Sequence, residues 1–97
     1  MVVHIVMFKF KEADKTANIE QAKEMLENLM GSVPTLQSME VGVSFADEER
    51  AMDLSIVTTF NDKEGLQEYA VHPEHLKVVA FIKSVVEYSK VVDYVKR

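Results

Sequence analysis

The sequence predicts an α+β fold of order β-α-β-β-α-β, the ferredoxin-like split arrangement with a four-stranded antiparallel sheet and a second helix broken at Pro73. Three observations carry that expectation. Four segments alternate apolar and polar residues with the period of a strand, and two others repeat apolar residues at helical spacing. The chain is 97 residues long with no linker, repeat or low-complexity tract, so residues 1–97 read as one domain.

The first strand is expected over Val2 to Lys11, a β-branched and aromatic run. One alternation carries His4, Val6, Phe8 and Phe10; the other carries Val3, Ile5 and Met7, then Lys9 and Lys11. Because both faces are apolar in its first half, the strand needs cover on both sides: helices on one, and a second subunit on the other. Val3, Ile5 and Met7 are accordingly expected to be buried only in a dimer.

An amphipathic helix follows between Thr16 and Met30. Ile19, Ala22, Leu26, Leu29 and Met30 form its apolar face, with Glu20, Lys23, Glu24 and Glu27 opposite. Thr16 or Asn18 can cap its start, Gly31 suits the left-handed residue after its end, and Pro34 prevents its continuation. Met39, Val41, Val43 and Phe45 then alternate with polar or small residues, as do Met52, Leu54, Ile56, Thr58 and Phe60, which makes a hairpin around a solvated polar loop. The Asp47-Glu48-Glu49-Arg50 run in that loop is given no role.

Asn61 or Asp62 can cap a short helix carrying Leu66, Tyr69 and Ala70 on one face, and Pro73 forces a break and restart. The next inward stripe reads His75, Val78, Val79, Ile82 and Val86, so a histidine sits among core positions. Val91 to Val95 is the last strand.

Composition narrows the function. Hydrophobic residues are 47% of the chain and charged ones 28%, as in ordinary globular domains, and the net charge of −5 repels phosphate backbones, so nucleic acid is not an expected partner. No run approaches the roughly 18 to 20 apolar residues of a membrane span, and the first residues lack the basic segment of a signal peptide, so a cytoplasmic location is expected. Without cysteine, disulfides and thiolate chemistry are excluded, and any catalysis must use His, Tyr or carboxylates.

The three histidines, His4, His72 and His75, lie in the two regions this fold brings together. If His4 shares the helix-facing side of the first strand with Val6 and Phe8, then His4, Tyr69 and His75 line one cavity between sheet and helix. Such a set can move protons: imidazole titrates near neutrality, and a phenol donates a hydrogen bond to a carbonyl or enolate oxygen. Pro73 places His75 in the first helical turn, whose dipole favours the neutral, proton-accepting ring. A structural role competes and, on the residues alone, carries more weight: each imidazole can satisfy a backbone group, and His72 before Pro73 can be a turn or cap residue. A three-histidine metal site is a lesser alternative, because no carboxylate ligand stands beside it; no metal is expected.

Val3-His4-Ile5-Val6 with Phe8-Lys9-Phe10-Lys11, Tyr69-Ala70-Val71-His72-Pro73-Glu74-His75 and Val92-Asp93-Tyr94 together resemble the stress-responsive dimeric α/β-barrel (Dabb) family over essentially the whole chain. The resemblance implies a ferredoxin-like subunit whose sheet pairs with that of a second copy to close a barrel. Members include heat-stable, stress-induced plant proteins with no clear catalytic role and a plant polyketide cyclase that works without a cofactor. Carried over from the cyclase, the catalytic histidine falls on His75, its assisting tyrosine on Tyr69, and the first-strand pocket histidine on His4; His72, Val6, Phe8, Val79 and Ile82 are further pocket candidates. The function expected is therefore a homodimeric small-molecule binder or cofactor-independent, cyclase-like protein acting on a carbonyl compound, the alternative being a non-catalytic stress or assembly protein. An open cavity favours the first; a cavity filled by Phe8, Phe10, Phe81 and Ile82 favours the second.

Overall fold

A computed structural model describes all 97 residues. In chain order the elements are β1 (Val2–Phe10), α1 (Lys15–Glu27), β2 (Ser38–Val43), β3 (Leu54–Phe60), α2 (Lys63–Val71), α3 (Pro73–Val85) and β4 (Val86–Val95). The four strands form one antiparallel sheet of order β2-β3-β1-β4, the ferredoxin-like topology, with β1 interior. No helix is long and apolar enough to cross a membrane.

Register explains which side chains reach the site. Val6 lies opposite Ile56 on β3 and Val91 on β4, and Val41 lies opposite Ile56, so one row of apolar side chains runs across the sheet. In the neighbouring row His4 stands between Thr58 and Asp93. Phe10 and Phe60 are completely buried and join Leu26, Leu29, Leu54 and Ile56 in the core under the helices. Each such side chain contributes roughly 1.5 to 3 kcal/mol relative to exposure, and it is this layer that fixes the helices over one face.

Several local expectations differ from what is found. Asp14, in the left-handed region at φ 54°, precedes α1 in place of Thr16 or Asn18, and no side chain caps that end; the Asn18 amide instead donates to the Ala13 carbonyl. Helix α1 stops at Glu27, with Gly31 at φ 88° in the following turn, so Leu29 still enters the core while Met30 points to solvent. Phe45 lies beyond β2 and is fully exposed. The hairpin ladder ends at Val43 opposite Leu54; Asp53 still accepts the Ser44 N–H on its carbonyl, while its N–H goes to the Phe8 carbonyl and its carboxylate accepts the Phe10 N–H.

Strand β4 begins at Val86, five residues before the expected start, and pairs with β1 from Phe10↔Val86 to Val2↔Val95. Its polar first half, Glu87 to Lys90, hides the strand from hydropathy because an edge strand exposes most of its side chains. On the face away from the helices, Met7, Val92 and Tyr94 are exposed. Val3, expected to need a second subunit, is already buried in the single chain, flanked on its face by its ladder partners Thr59 and Tyr94.

Candidate functional site

Three local devices hold the site together. Asp62 caps α2, its carboxylate accepting the Gly65 N–H at 2.8 Å, and the Thr35 hydroxyl donates to the Gly65 carbonyl at 2.8 Å. A Cβ on Gly65 would lie 3.3 Å from that carboxylate and 3.4 Å from Thr35 Cβ, so glycine permits the close approach. Third, His72 ends α2 and caps α3, its Nδ1 accepting the Glu74 N–H at 3.1 Å, while Pro73 opens α3 where no N–H is needed. With the two helices set at that corner, Tyr69 from α2 and His75 from α3 converge on His4 of β1.

Tyr69 is the centre of the group. Its ring lies 4.2 Å from that of His75, 5.1 Å from Phe60 and 6.3 Å from His4, centroid to centroid. The residue is buried, and burial pushes its phenol up to about 12, so it remains a hydrogen-bond donor at neutral pH. No side chain leaves a fully buried oxygen or nitrogen unpaired, and the phenol has no protein partner, so its hydroxyl opens on the cavity.

Each of the two histidines has its Nδ1 fixed by a partner. His75 Nδ1 lies 3.1 Å from the Ala70 carbonyl, which can only accept, so Nδ1 carries the proton and Nε2 keeps its lone pair. Burial lowers the proton affinity of His75 below that of a free imidazole; the Ala70 bond opposes this, and the nearby His4 and His72 add to it. Burial is the main cause, a contribution that depends on tertiary packing, unlike the dipole of the first turn. His4 Nδ1 bonds the Asp93 carboxylate across the β1–β4 ladder, so this nitrogen carries a proton and the ring is held in place.

A cavity of about 280 Å³ lies between these groups and α3. Of the residues singled out in the sequence, His4, Tyr69, His75, Val6, Phe8, Val79 and Ile82 all line it, with Leu26, Ile56, Val78 and Val91 completing most of the apolar wall. His72 does not; its ring nitrogen is used at the helix cap, so the three histidines do not converge on one point. No group of three or more His, Asp or Glu side chains is arranged to hold a metal ion.

Three polar residues at the site were not anticipated. Asp93 binds His4, and Lys83 and Ser89 line the far end of the cavity. Asp93 had a signal: in Val91-x-Asp93-x-Val95 a carboxylate takes an inward alternation between valines. Ser89 became visible only with the early start of β4.

The family model described as Stress responsive A/B Barrel Domain (Dabb) matches residues 2–96. The chain belongs to this family. Among curated Dabb-like relatives, it is 26% identical over 98 residues to olivetolic acid cyclase of Cannabis sativa, covering 99% of this chain and 97% of the relative. Among solved structures, it is similar to a dimeric, ferredoxin-like protein of unknown function from Bacteroides fragilis, with TM-score 0.86, 26% identity, and 96% and 93% of the two chains covered. A hydroxynitrile lyase from Passiflora edulis shares the fold with TM-score 0.87 at 19% identity, covering 99% of this chain and 93% of the lyase. Dabb relatives and fold neighbours thus include a cyclase, a lyase and dimeric proteins without assigned activity.

Proposed function

We propose that this Dabb protein is a homodimer that binds a small carbonyl compound and moves a proton on it without a cofactor, through His75, Tyr69 and His4. The observation that carries this reading is the pairing of a neutral, Nδ1-protonated His75 with the phenol of Tyr69 on one apolar cavity. Nε2 of His75 takes the proton from carbon next to the carbonyl, and the Tyr69 hydroxyl donates to the oxygen where negative charge develops. His4, fixed by Asp93, orients the substrate. The cavity is open: Phe8 and Ile82 form walls and Phe10 is packed in the core, so the aromatic residues do not fill it, which speaks against a purely structural protein.

The test is deuterium incorporation next to the carbonyl of aliphatic ketones and 1,3-diketones, followed by NMR in heavy water alongside the histidine resonances. His75→Asn is the informative variant, because the Asn amide can still donate to Ala70 while the base is gone. Wild type is expected to accelerate exchange, and His75→Asn to lose about 100-fold or more of that acceleration, the usual size of a general-base contribution. If no compound shifts the His75 resonances and none exchanges faster than in buffer, the reading is overturned in favour of a non-catalytic stress or assembly role.

A further inference from the structure

The cavity is polar at both ends. His4, Tyr69 and His75 occupy one; Lys83 and Ser89 occupy the other, with apolar residues from α3 and β1 between them. Two independent measures give its length. His75 and Lys83 are eight residues apart on α3, about 12 Å at 1.5 Å per residue. His4 and Phe8, whose partner across the ladder is Ser89, are four residues apart on β1, about 13 Å at the rise of a strand. Helix and strand also meet at both ends, His75 and His4 around Tyr69 at one and the Lys11 N–H on the Val85 carbonyl at the other, so they run alongside one slot.

Lys83 takes part in none of the six ion pairs of the chain, although most of the other lysines bond a carboxylate or carbonyl. Its aliphatic stem can lie along the apolar wall with the ammonium in water at the mouth. One unpaired cation at that point suits a singly charged anion, and the apolar middle of the slot suits a hydrocarbon chain. We propose that the natural ligand is an oxo-carboxylate, its carboxylate at Lys83 and its carbonyl about 10 to 12 Å away at Tyr69 and His75. This inference rests on the pocket reading above and adds the class and length of the ligand.

Lys83 also sits in the last turn of α3, where a cation complements the helix dipole. That role alone leaves ligand preference unmoved, so a matched pair of ligands separates the two. The probes are 9-oxodecanoate and 2-decanone, each titrated into wild type and Lys83→Met with NMR detection at His4 and His75. Wild type is expected to favour the oxo-carboxylate over the ketone about threefold to fivefold more than Lys83→Met does, the size of a solvent-exposed ion pair. Ketone binding should be retained in both proteins, which also shows that the variant is folded. Binding of both probes at His75 with an unchanged preference overturns the role of Lys83 and leaves the pocket reading standing. Absence of any response at His75 to either probe overturns both.

Discussion

His75 shows how one residue can be structural and reactive at once. Its Nδ1 satisfies a carbonyl near the end of α2, and its Nε2 remains free, so the two roles use different atoms. A simple loss of stability on His75→Ala therefore says nothing about catalysis; about 1 kcal/mol is expected from the Ala70 bond alone. The pH dependence is more telling. Above pH 6.5 the ring is neutral in folded and unfolded chains alike, and as pH falls below this the unfolded chain binds the proton first, because burial lowers the affinity of the folded state. The His75 contribution to stability should thus decline on acidification from pH 6.5 down to its folded-state value and be constant below that. Urea unfolding of wild type against His75→Asn across this range checks it; parallel pH profiles would count against a buried neutral ring.

At the scale of elements, the corner between α2 and α3 decides whether Tyr69 and His75 meet. His-Pro is an efficient way to build it, since the imidazole caps the second helix and the proline begins it. His72→Ala should cost about 1 kcal/mol in urea unfolding at fixed protein concentration, and His72→Asn, which caps by its own side chain, should recover most of that loss. A ligand role for His72 predicts instead that both variants keep full stability. Legibility also varied by element. The inward stripes of β1, β3 and α3 could be read directly because both their neighbours are apolar layers. The length of β4 could not, because its residues Glu87 to Lys90 take their conformation from hydrogen bonds to β1 rather than from a pattern of their own. For the same reason Phe45 falls outside β2 despite continuing its alternation: the partner strand ends first.

For the whole molecule, helices cover one face of the sheet, while the other, apart from the buried Val3, carries exposed apolar side chains. Met7, Val92 and Tyr94 on that face are 38%, 50% and 47% exposed, a contiguous apolar surface across the paired strands β1 and β4. With dimeric fold neighbours, this favours face-to-face pairing of two copies. Sedimentation at micromolar concentration is expected to give twice the chain mass, and Val92→Glu to shift the protein toward the monomer with its helical circular dichroism intact; a monomeric wild type would defeat the proposal. The topology and the family were legible in the sequence, because periodicity and a short motif are local properties that survive without coordinates. That His72 is a cap, that Asp93 holds His4, and that Lys83 and Ser89 close the far end of an open slot is seen only in the folded chain. Those facts depend on strand register and on which nitrogen finds a partner. Register is set by contacts between residues far apart in the chain and the His72 cap by the helix start two residues on, so the spacing that marks Asp93 as inward does not by itself name its partner.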